Sequence, residues 1–166
     1  MKTLSINGNE YTLEYSFMAA EHNHTVQKMF NVLSGAYLIK QVNMTEDENK
    51  EKNKENIANA MLNGTSEMVS DIPHIVKTAF YSGLLENHEL SEADAYELMK
   101  QYMKENKISF KKLFDDIKEC MEQDGFFDLS GLTEMLEEMN KSVEEQSKKR
   151  TTKVPQDHKK KSTGTK

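Results

Sequence analysis

The chain has 166 residues, 36% of them hydrophobic and 30% charged, with a formal net charge of −6, no Trp, one Cys and two Pro. This length fits one domain, or at most two small ones, and the composition allows a modest core rich in helix formers. A lone cysteine excludes an intrachain disulfide, and no run approaches the roughly 20 apolar residues of a membrane-spanning helix.

The charge is unevenly placed. From Ser147 onward eight Lys/Arg face one Asp, giving +7, while the preceding 146 residues carry −13. An acidic body with a basic tail therefore presents two different electrostatic faces. Residues 1–146 are expected to form a hairpin plus helical domain, and residues 147–166 a disordered basic tail. The N-terminus alternates polar and apolar residues and lacks the apolar stretch of a signal peptide, so the expected location is cytoplasmic.

Residues 2–6 and 10–15 read as a β-hairpin. Leu4 and Ile6, and then Tyr11, Leu13 and Tyr15, alternate with polar neighbours around "NGN" at 7–9, which tolerates positive φ. A lone hairpin is marginal, so it must pack on helices or pair through its open edges with another copy. Ser16 is a plausible N-cap for a helix reaching about Tyr37, striped by Val26, Met29, Phe30 and Leu33. His22 and His24 fall two apart on that helix and point to different sides, which disfavours a shared metal.

Residues 43–56 nearly lack apolar side chains and read as a solvated loop or a weak surface helix. Apolar content returns at 57–62, Asn63-Gly64 is expected to break the chain, and residues 66–86 carry a strong helical stripe that starts or kinks at Pro73. Ser91 with Asp94 opens a helix over 91–105, and Ser109 caps one over 110–122 with Phe110, Leu113, Phe114, Ile117 and Met121 on its core face. A last helix, capped by Asp128 or Ser130, is striped by Leu132, Met135, Leu136, Met139 and Val143. The fold class is thus mainly α (α+β), a hairpin on a bundle of about five to six short helices.

The stretch "ECMEQDGFFDLSGLTEMLEEM" at 119–139 is laid out like a helix–loop–helix calcium site. Such a loop needs oxygen ligands at positions 1, 3, 5, 9 and 12 around a Gly at 6. With Gly125 at 6, Cys120 and Gly131 fall at 1 and 12. With Gly131 at 6, Phe126 falls at 1, and starting at Asp124 puts Met135 at 12. No register works, and the joint reads as a turn in which Gly125 is left-handed and Phe126, Phe127 and Leu129 tuck between helices. No phosphate loop, zinc spacing or nucleophile elbow occurs, Cys120 lies beside a core stripe, and the five histidines are scattered. No enzyme, metal or cofactor is expected. Eleven methionines fill irregular core gaps or furnish an adaptable apolar surface. Phe126, Phe127, Met135 and Met139 are the candidate partner-binding residues.

In order, "YTLEYSF", "VQKMFNVLSGAY", "DIPHIVKTAFYSGLLENHELSEADAYELMKQYMKE" and "FKKLFDDIKECMEQDGFFDLSGL" resemble the tail assembly chaperones of long-tailed (siphovirus-type) phages and prophages of Gram-positive bacteria, from about residue 2 to 140. The resemblance implies a non-enzymatic protein that binds and solubilises the tape measure protein before the tail tube forms and is absent from the mature virion. It also implies a longer frameshifted product whose extension contacts tail tube protein, and a location in the cytoplasm of the bacterial host. No binding residue carries over by position. The rival reading is a small helical nucleic-acid-associated regulator using its basic tail, against which the −13 body argues by repelling phosphates.

Overall fold

The structure is a computed structural model that describes residues 1–38 and 50–151, the side chains of 50–55 and 143–151 excepted. Strands β1 (Lys2–Ile6) and β2 (Asn9–Leu13) pair antiparallel, with Ile6 opposite Asn9 across a two-residue turn. Both turn residues take positive φ, Asn7 at 51° and Gly8 at 77°, which is the turn that matches the right-handed twist of the strands. Among the described residues these helices follow: α1 (Phe17–Glu21), α2 (Asn23–Leu33), α3 (Lys50–Leu84), α4 (Glu92–Asn106), α5 (Phe110–Gln123), α6 (Phe126–Leu129) and α7 (Leu132–Thr151). A further helical turn begins at 36–38. The chain is mainly helical with an N-terminal hairpin, as its sequence pattern predicts.

The core is one continuous cluster. Leu4, Ile6 and Leu13 of the hairpin meet Ile75, Val76, Ala79, Phe80 and Leu84 of α3, Met99 of α4 and Leu113, Ile117 and Met121 of α5. Hydrogen bonds fix the hairpin on this cluster: the Glu14 amide donates to the Gly83 carbonyl (2.8 Å) and the Thr12 amide to His88 Nε2 (2.9 Å). These two bonds close the outer edge of β2. Tyr15 is fully buried and donates its hydroxyl to the Ala79 carbonyl at 3.1 Å.

Local expectations are corrected at two places. Ser16 does not cap a long helix; its hydroxyl donates to Glu86 Oε2 (2.5 Å), and the chain breaks at His22. There ψ is 90°, and the His22 carbonyl accepts the Thr25 and Val26 amides as α2 starts. His22, Asn23, His24 and Thr25 are all weak helix formers, so little opposes the break. Asn63-Gly64 does not interrupt α3, which runs unbroken from 50 through Pro73. A Cβ at Gly64 would lie 2.6 Å from the Tyr37 carbonyl oxygen, so this glycine admits a close backbone approach rather than a turn.

The helices over 91–105 and 110–122 stand where expected, with Ser91 accepting from the Asp94 amide and Ser109 from the Lys112 amide. Of the region 43–56, residues 50–56 are helical and 43–49 lie outside the described residues. Helix α7 continues to Thr151, five residues into the expected tail, and 152–166 lie outside the described residues.

Candidate partner-binding surface

The joint between α5 and α7 turns a corner, and its parts are visible. Helix α5 ends as the Asp124 amide bonds back to the Cys120 carbonyl (2.9 Å), and Gly125 then takes the left-handed conformation at φ 73°. The next four residues wind into α6, and the positions that an ion-binding loop would use are thereby coiled into a helical turn. The Asp128 carboxylate accepts the Thr133 hydroxyl (2.6 Å), and Ser130 donates to the Phe127 carbonyl (3.3 Å). Among the described residues no three His, Cys, Asp or Glu converge as a metal site.

Asp124 fastens this joint to the hairpin. Its Oδ2 accepts the Tyr15 amide at 2.9 Å, and its Oδ1 pairs with the Met1 ammonium. Burial acts to raise its pKa, but the bonds from the ammonium and the Tyr15 amide outweigh it and hold the carboxyl below the usual range. Cys120 lies beside it, with Sγ 3.6 Å from the Asp124 carboxylate. Burial, followed by the Asp124 charge, pushes the thiol up to about 11, so it stays protonated at neutral pH. His22 and His24 stack edge to face at 6.0 Å, and burial, then the neighbouring His24, lowers the pKa of His22. The His22 ring nitrogen Nδ1 is engaged with the Thr25 hydroxyl (2.9 Å).

The four candidate partner-binding residues separate. Phe126 is 0% exposed and packs edge to face on Tyr15 with ring centroids 6.1 Å apart, so it is a core residue. Phe127 is half-buried against the same core, and Met139 is half-buried on α7. Met135 is 52% exposed. Leu129, expected between helices, is largely exposed instead. Three residues apart, Phe126 and Leu129 share one side of the turn, yet Leu129 is the last residue of α6 and stays 42% exposed where Phe126 is fully buried.

Other exposed apolar side chains stand on elements that touch one another. Helix α1 touches α6, and α6 touches α7. Phe17 (68% exposed) and Met18 stand on α1, Leu129 on α6 and Met135 on α7. A second exposed set, Met61, Leu62 and Val69, lies on the first half of α3. Helix α7 is seated by Leu132, which is fully buried, while Leu136 and Met139 beyond it are half-buried. Phe17 was legible only as the first residue after Ser16; the helix break that turns it outward has no strong local signature.

No match was found for this chain among protein-family models, curated proteins or solved structures. Among the described residues no helix is long and apolar enough to cross a membrane.

Proposed function

We propose that this chain is a non-enzymatic phage tail assembly chaperone. It binds apolar helical segments of the tape measure protein in the cytoplasm of the bacterial host and keeps them soluble while the tail forms. The carrying observation is the set of large exposed apolar side chains on α1, α6 and α7, Phe17, Met18, Leu129 and Met135, on an acidic body. Three of the four are unbranched or aromatic groups that adapt to variable apolar partners. An acidic body keeps many copies apart along a crowded filament. The order of sequence motifs supports the same reading, including a longer frameshifted product that engages tail tube protein.

The test is co-expression of the chain with fragments of the tape measure protein encoded beside it, followed by co-purification. The expected result is a soluble complex that persists at high salt, since apolar contacts carry it, and that is lost in Phe17→Ser/Met135→Ser. A fragment that stays insoluble with the wild-type chain overturns the proposal. Steeply salt-dependent binding of DNA, lost on removal of 148–166, would instead favour the nucleic-acid-associated regulator.

A further inference from the structure

We infer that the groove between the hairpin turn and α4 is the docking site for the basic segment beyond α7, residues 152–166, of the same chain. The groove is open to solvent and offers about 470 Å³. Its apolar side is formed by Tyr11, Leu90 and Leu98, all half-buried against the core. Asp94 and Glu97 line it, and Glu105 stands beside it, accepting from the amide of Asn7 (3.2 Å) and from Gln101 (2.8 Å), both groove residues. Glu97 pairs with Lys100 at 2.5 Å. The hydrogen-bond partners of Asp94 and Glu105 are neutral, the Ser91 hydroxyl and these amide groups. The groove therefore mixes apolar and polar walls, with Asp94 and Glu105 lacking a cationic partner among the described residues.

The segment 152–166 has the complementary chemistry. It carries Lys153, Lys159, Lys160, Lys161 and Lys166 against Asp157, and one apolar pair, Val154-Pro155. A proline restricts its own φ and the backbone of the residue before it, so any Val-Pro pair has less conformational freedom to lose on docking than an ordinary dipeptide. Val154 and Pro155 fit the Tyr11–Leu98 side, and the flanking lysines reach the carboxylates. Fifteen residues span up to roughly 50 Å when extended, and tethering gives the segment an effective concentration in the millimolar range when the span is met. Where that span reaches the groove, a contact that is weak between separate molecules suffices within one. This latch does not depend on the chaperone reading, and its consequence is general: a docked tail withdraws the chain's main cationic segment from other acidic partners.

The experiment uses the full ¹⁵N-labelled chain with a nitroxide on Ser162→Cys; buried Cys120 is left in place, and mock-labelled wild type is the control. The expected result is selective broadening of the amides of Asn7, Tyr11, Leu98 and Gln101. It fades as salt rises from about 50 to about 500 mM, and it disappears in Glu97→Lys/Glu105→Lys. Val154→Ser/Pro155→Ser must also reduce it. Broadening spread evenly over the acidic surface, centred on Phe17 and Met135, or absent altogether overturns the inference. So does broadening that arises only between molecules in a mixture of labelled and spin-labelled chains.

Discussion

Asp124 and Gly83 show how two single residues hold the hairpin in place by opposite means, one through charge and one through the lack of a side chain. The Asp124 carboxylate accepts a backbone amide that has no other partner, and its pKa is held below the usual carboxylate value. A depressed folded-state pKa means that its contribution is full above the unfolded pKa and is lost as pH falls through the folded one. Asp124→Ala is expected to cost about 1–3 kcal/mol at neutral pH. In urea melts taken at descending pH the gap between variant and wild type should narrow below about pH 4. A gap that stays constant with pH would show that the charge contributes nothing. Gly83 acts through space: a Cβ there would lie 2.7 Å from Cζ of Tyr15, whose ring is fully buried. An ordinary helical Gly→Ala gains about 1 kcal/mol. Here the ring must move, and Gly83→Ala is expected to destabilise by about 1–3 kcal/mol in the same assay. A neutral or stabilising result would mean that Tyr15 has room to yield.

At the scale of elements, what a few neighbouring residues decide was legible, and what tertiary contact decides was not. The Asn7-Gly8 turn, the Ser91 and Ser109 caps and the α5 stripe are each complete within a few residues, and each appears where its chemistry places it. Ser16 is chemically as good a cap as Ser109, yet Glu86, distant in sequence, claims its hydroxyl. Gly64 reads as a breaker alone but admits the 36–38 turn against α3. Helix α3 is continuous, but its two halves differ in support. From Ile72 to Leu84 five apolar side chains besides Ile72 are buried, while the first half exposes Met61, Leu62 and Val69. Pro73 also removes one backbone donor between them. Native-state hydrogen exchange should therefore show amides 75–84 protected at least tenfold more than amides 57–70. Equal protection along the helix would mean that α3 opens only as a unit.

For the whole molecule, the division between inside and outside was the hardest thing to read from the sequence, and it bears most on function. Phe126 and Phe127 are adjacent and chemically identical, yet one is buried beneath Tyr15 and the other is half-buried. Periodicity assigns a stripe to a helix of several turns, but α6 has four residues, too few for a stripe to identify its inner face. Of the four candidates, Met135 is the one that is more than half exposed, and the structure adds Phe17, Met18 and Leu129 as exposed apolar residues on α1 and α6. This assignment makes a paired expectation. Phe126→Ala removes a fully buried ring and should cost about 3–5 kcal/mol. Phe17→Ser/Met135→Ser alters exposed positions and should stay within about 0.5 kcal/mol per site of wild type. Thermal melts and binding of an apolar dye to the native protein separate the two. The surface variant should melt with wild type but bind less dye, because the apolar area it loses is area that water already touches. If it instead melts early, Phe17 and Met135 belong to the packing of α1 and α7, and the surface offered to a partner must be sought on the first half of α3.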